Sequence, residues 1–143
     1  MRLNTADDDA DVTLTAVRDF YERHPYPPPV DDLDRYRETW SKDERRVLES
    51  HLFWPSEPFR EDRNILVAGC GTSQAAKYAM RWPDADVVGI DVSANSVENT
   101  LSLKRKYQLD NLQVEHVGLE NTHEFGRQFD FIVSTGVLHH LPD

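Results

Sequence analysis

Two short segments carry residue types suited to ligand chemistry: Ala68-Gly69-Cys70-Gly71-Thr72 and, further on, Asp91. Each closes an apolar run, Ile65-Leu66-Val67 before the glycines and Val87-Val88-Gly89-Ile90 before the acid. Glycines at a strand end tolerate positive φ and let a ligand lie against bare backbone. A carboxylate about twenty residues beyond such a turn accepts hydrogen bonds from ribose hydroxyls. The pairing points to a ligand that contains a nucleoside.

The turn departs from the dinucleotide pattern. Gln74 stands at the third glycine position, and Ala75 follows one residue later. A long polar side chain there is expected to obstruct close packing of helix on strand. On these residues alone, a dinucleotide-binding domain and an ordinary strand-to-helix turn both stay open. Cys70 lies between the glycines with no neighbour to activate a thiolate, so it reads as a small buried residue. His139 and His140 diverge on a helix, and no spaced Cys, His or carboxylate set accompanies them, so no metal site is read. Tyr21 and Tyr26 fit either a lid over a ligand or the packing of an N-terminal extension.

These groups need elements to position them, and the chain alternates strand and helix patterns. Strands are predicted over 64–68, 87–91, 112–117 and 129–135, with a helix over 73–81 and another capped by Ser93. The alternation implies a parallel sheet with right-handed crossovers, whose ligands bind beyond the carboxyl ends of the strands. Upstream, Leu14, Val17 and Tyr21 mark a helix over 12–24 that Pro25 stops. Ser41-Lys42-Asp43-Glu44 matches a capping box and predicts a helix running to about Leu52. Residues 1–62 are read as a helical N-terminal extension and 63–143 as the ligand-binding domain.

Three segments stand in order: Ala68-Gly69-Cys70-Gly71-Thr72, Gly89-Ile90-Asp91-Val92-Ser93, and Phe129-Asp130-Phe131-Ile132-Val133-Ser134-Thr135-Gly136-Val137-Leu138-His139-His140-Leu141. With them the chain resembles a class I S-adenosylmethionine-dependent methyltransferase from about Asn64 to Asp143. The resemblance implies an α/β fold, a three-layer Rossmann-like doubly wound parallel sheet of which the first four strands are present. It implies S-adenosyl-L-methionine as cofactor, with Ala68, Gly69, Cys70 and Gly71 along its methionine part. Asp91 with Val92 would hold the ribose, and Ser134, Thr135 and Gly136 would lie near the methyl donor. Ala68 stands where the family often has an acid, and Val117-Gly118-Leu119-Glu120-Asn121 replaces a common Gly-Asp. Glu120 and Asn121 are the candidates for the adenine side. Methyl transfer to an unidentified nucleophile is the activity implied. The alternatives are a non-catalytic module that binds cofactor or a partner, and a NAD-type domain.

With 143 residues the chain has enough length for one core. Strand patterns number four where the family has seven, so the chain is expected to be truncated, with its fourth strand left as an open edge. A net charge of −10 argues against general nucleic-acid binding, which needs clustered Lys and Arg. The acidic run Asp7-Asp8-Asp9 with Asp11 reads as a disordered or capping N-terminus. No apolar segment approaches bilayer-spanning length and Met1 is followed by polar residues, so no membrane partner is expected. A single cysteine excludes an intrachain disulfide, and the default location is the cytoplasm.

Overall fold

A computed structural model of the chain describes residues 5–138. Its elements run α1 (Thr5–Arg23), α2 (Asp34–Trp40), α3 (Asp43–Phe53), β1 (Asn64–Ala68), α4 (Gln74–Arg81), β2 (Asp86–Asp91), α5 (Ala94–Tyr107), β3 (Leu112–His116), a 3-10 turn (Leu119–Phe125) and β4 (Phe131–Ser134). The strands form one parallel sheet in the order β3-β2-β1-β4. This is the Rossmann-like α/β arrangement, and its order reverses beside β1. Strand β1 pairs with β2 on one side and β4 on the other, so Ala68 sits between Ile90 and Ser134. Such a switch point opens a crevice at the carboxyl edge, where ligands bind.

Apolar residues on both faces of β1 and β2 explain why these strands lie centrally. Ile65, Val67 and Val87 face α4 and α5 in a core with Ala75, Ala76, Ala79, Trp82 and Leu103. Leu66, Ala68, Val88 and Ile90 face the other way, against Val117, Leu119, Phe125 and Phe129. Among the described residues that second face is covered by the 3-10 turn and its flanks.

Gln74 does not obstruct the packing of α4. The close approach comes from Gly89 on β2, where a Cβ would meet the Ala75 methyl at 2.5 Å. Gln74 is half-buried and reaches sideways, its Nε2 donating to Thr135 Oγ1 at 3.4 Å. Ser93 caps α5 as expected, its Oγ accepting from the Ser96 amide at 3.2 Å.

The N-terminal region differs from the sequence reading in three places. Helix α1 already begins at Thr5, so the acidic run is helical. Helix α2 has no counterpart in the predicted elements. Ser41 does not cap α3: its hydroxyl donates back to the Glu38 carbonyl at 2.8 Å, and Lys42 takes the N-cap position without a side-chain bond. Because α2 runs directly into this point, its last turn supplies an acceptor for the hydroxyl.

All three helices are tied to the sheet domain. Leu33 is buried in the main core, and its amide donates to Tyr107 Oη at 2.5 Å. Phe53 meets Phe131 at a tilt and Trp54 meets it edge-on, with ring centroids 4.6 and 5.4 Å apart. No helix among the described residues is long and apolar enough to cross a membrane.

Candidate functional site

Strand β1 ends in a turn whose two glycines both take positive φ, +70° at Gly69 and +54° at Gly71. A Cβ at Gly69 would overlap the Val137 side chain, so only glycine leaves room for the segment after β4. The turn is held from three directions. The Gly71 amide donates to Asp91 Oδ2 at 2.8 Å, and Thr100 Oγ1 donates to the Gly71 carbonyl at 3.0 Å. Thr72 Oγ1 donates to the Pro27 carbonyl at 2.8 Å, which draws the N-terminal segment across the turn.

Asp91 is mostly buried where β2 ends. Its other oxygen accepts from the Ser93 amide at 2.9 Å. Burial raises its pKa above the usual carboxylate range, against the opposing pull of the Ser93, Gly71 and Val92 amides and the nearby His116. His116 itself meets the Val92 carbonyl through Nε2 at 2.8 Å.

A cavity of about 410 Å³ opens over these groups. Gly69, Cys70 and Gly71 line its floor, and Asp91, Val92 and Glu120 line it on the β2–β3 side. Thr135 and Gly136 line it after β4. Three expected residues do not line it. Ala68 is buried within β1, and Asn121 points its amide at Glu120 Oε1, 3.3 Å away. The Ser134 hydroxyl is buried without a hydrogen-bond partner, one residue before the cavity wall.

Of the remaining walls, the sequence reading anticipates only Tyr21 and Tyr26, as one of two alternatives. Leu14, Val17 and Tyr21 of α1 contribute an apolar stripe, and Tyr26 with Pro27 continues it. Both aromatic residues considered for a lid therefore border the cavity. Gln74, Lys77, Tyr78 and Arg81 of α4 border it as well. Their spacing of three and four residues is the signal that would have placed them on one helix face.

Cys70 is buried, and burial lifts its thiol to about 12, with the Asp91 carboxylate pushing the same way. Such a thiol stays protonated and is not a nucleophile at neutral pH. Among the described residues no group of three His, Cys, Asp or Glu side chains is placed to hold a metal ion. His139 and His140 lie outside the described residues.

Comparison with known proteins adds to this geometry. A family model described as a methyltransferase domain matches residues 66–143, more than half of the chain. Trans-aconitate 2-methyltransferase of Deinococcus radiodurans is 31% identical over 112 residues, 73% of this chain and 41% of that protein. An uncharacterized protein of Synechococcus sp. is 28% identical over 137 residues, 93% of this chain and 32% of its own length. The chain thus spans about a third to two fifths of these relatives. The solved structure of PKMT2 from Rickettsia typhi in complex with AdoHcy is 25% identical, with a TM-score of 0.51 over 56% of this chain and 16% of that one. Coclaurine N-methyltransferase bound to N-methylheliamine and SAH shares the fold, with a TM-score of 0.54 at 16% identity over 97% of this chain and 45% of that one.

Proposed function

Because the chain belongs to the methyltransferase domain family, we propose that it binds S-adenosylmethionine at the carboxyl edge of its sheet and serves transfer of the methyl group to a nucleophilic acceptor. The observation that carries this reading is Asp91, fixed at the end of β2 and hydrogen-bonded to the turn that floors the cavity. A carboxylate offers about four acceptor directions, and the Gly71 and Ser93 amides leave roughly two for ligand hydroxyls.

The residues present fit the cofactor. The glycine turn lines the cavity, with Val137 packed on Gly69 and Tyr26 and Pro27 on Gly71, and Asp91 lines it at the end of β2. Gly136 has open space where a side chain would project, which leaves room next to Thr135. S-adenosylmethionine, when bound, supplies a methyl group already activated by its sulfonium. The chain's residues then have binding and orienting work. Gly69, Cys70 and Gly71 would shape the methionine side, Asp91 and Val92 the ribose side, and Glu120 the adenine side. Thr135 and Gly136 would border the reacting centre, with Ala68, Asn121 and Ser134 supporting these residues from behind the lining. Holding the reactants in line is worth on the order of 7–11 kcal/mol in favourable cases.

Residues 1–62 are read as an extension that roofs the site, with Tyr21 and Tyr26 closing over the ligand and the Thr72–Pro27 bond fastening the cover. A reducing cytoplasmic setting accords with the single buried thiol of Cys70.

Calorimetric titration of the chain with S-adenosylhomocysteine tests the reading, with Asp91→Ala as control. Saturable binding that the variant loses supports it. A folded chain that binds NAD and not S-adenosylhomocysteine would replace it with a dinucleotide-binding reading.

A further inference from the structure

The charged groups around the cavity are sorted by element. The acids, Asp91 and Glu120, follow β2 and β3. The cations, Lys77 and Arg81, lie on α4, which the Gln74–Thr135 hydrogen bond ties to the end of β4. The two cations differ in what they already hold. Arg81 donates to Glu49 Oε1 at 2.6 Å and to Tyr36 Oη at 2.8 and 2.5 Å. Its plane also meets Trp40 at 4.2 Å and Tyr78 at 4.9 Å. Those donors are engaged.

Lys77 is half-buried, and among the described residues its ammonium has no ion pair or hydrogen bond. Its aromatic neighbour Tyr36 is 6.0 Å away, at the limit of useful attraction. An ammonium that lines a cavity without an anionic partner is placed to receive an anion there through a charge-assisted bond. Charges elsewhere on this acidic chain are screened over about 8 Å at physiological salt, so the local cation decides.

We propose that Lys77 receives an anionic group of the methyl acceptor, which makes the acceptor class a small amphiphile bearing a carboxylate. Its apolar body lies against the α1 stripe of Leu14, Val17 and Tyr21, which lines the same cavity. The site favours the acceptor over the cofactor's own carboxylate because Lys77 opens the second turn of α4. The first turn, whose Gln74 amide donates to the Cys70 carbonyl at 3.1 Å, joins the glycine floor directly. Gln74 and Lys77 are about one helical turn, ~5 Å, apart. The acceptor's anion therefore lies within a few bonds of a nucleophile placed beside Thr135. This inference rests on the methyltransferase reading.

Phenylacetate and its neutral isostere phenylacetamide, titrated by NMR into the chain saturated with S-adenosylhomocysteine, test it. Phenylacetate is expected to bind at least about fivefold more tightly. Lys77→Met and Lys77→Gln should each abolish that preference and Lys77→Arg should keep it, with affinity for S-adenosylhomocysteine unchanged within about twofold in all three. Equal binding of the probes, or no binding of either, overturns the acceptor assignment and leaves the cofactor reading in place. Parallel loss of S-adenosylhomocysteine affinity in Lys77→Met and Lys77→Gln also overturns it, because Lys77 then holds the cofactor. A wild-type chain that does not bind S-adenosylhomocysteine removes the methyltransferase reading, and this assignment falls with it.

Discussion

Asp91 accepts a hydrogen bond from the Gly71 amide at 2.8 Å, joining the end of β2 to the turn that follows β1. One side chain thereby shapes the cavity floor and offers a remaining acceptor to a ligand. Asp91→Asn keeps one acceptor oxygen but sets its NH2 against either the Gly71 or the Ser93 amide, and is expected to cost about 1–3 kcal/mol. Asp91→Ala strands the Gly71 and Ser93 amides and should cost about 1–3 kcal/mol in chemical denaturation. Both variants should lose at least about tenfold in affinity for S-adenosylhomocysteine, read by calorimetry.

The raised pKa of Asp91 gives a pH signature with two opposite slopes. The folded state binds this proton more tightly than the unfolded state, so its contribution to stability is fully present below the ordinary aspartate value of 3.8. That contribution is lost as pH rises through the raised folded value. Ligand affinity runs the other way, since a ribose hydroxyl needs the ionised form. Between those two values, acidification should weaken binding of S-adenosylhomocysteine while this group's stability term grows. Asp91→Asn should flatten both slopes; persistence of either in the variant assigns it to another group.

Tyr21 borders the cavity from α1 and packs edge-on against Phe20 at 5.5 Å. Tyr21→Ala is expected to weaken binding of S-adenosylhomocysteine about three- to tenfold and to leave the denaturation midpoint nearly unchanged. An unchanged affinity in a stable variant would remove the lid role.

The contact between Gly89 and Ala75 is testable as a pair. Gly89→Ala forces a methyl into the space filled by the Ala75 side chain and should cost about 1–3 kcal/mol through overpacking. Ala75→Gly alone, in the first turn of α4, should cost up to about 1 kcal/mol. In the double variant the losses should sum to less than these two, because the deleted methyl vacates the space. Strict additivity in urea denaturation would show that the two positions do not press on each other.

The sheet domain was legible because its signals are local. Apolar runs bounded by turns mark β1 and β2, and Ser93 ahead of an apolar-periodic segment marks α5. The N-terminal region was less legible because its order comes from distant partners. Helix α2 has seven residues, too few for a reliable period, and its Tyr36 is anchored to Arg81 across 45 positions. Ser41 carries the right residue type for a cap, yet the turn just before it supplies its acceptor. Gln74 was read for its own bulk, whereas helix packing is decided by Gly89 on another strand. Lys77 and Tyr78 carry no motif, and their place at the cavity follows only from the way α1, packed against α5, borders the same space as α4.

Gly71 has both of its backbone polar groups occupied by side chains, its amide by Asp91 and its carbonyl by Thr100. The floor of the cavity is therefore rigid before any ligand arrives, and its ordering entropy is met during folding. Recognition there works by fit against a fixed surface, with little conformational heat exchanged at the turn. Swelling or shrinking a ligand at this point should change its residence time steeply, while the loop itself stays in one conformation.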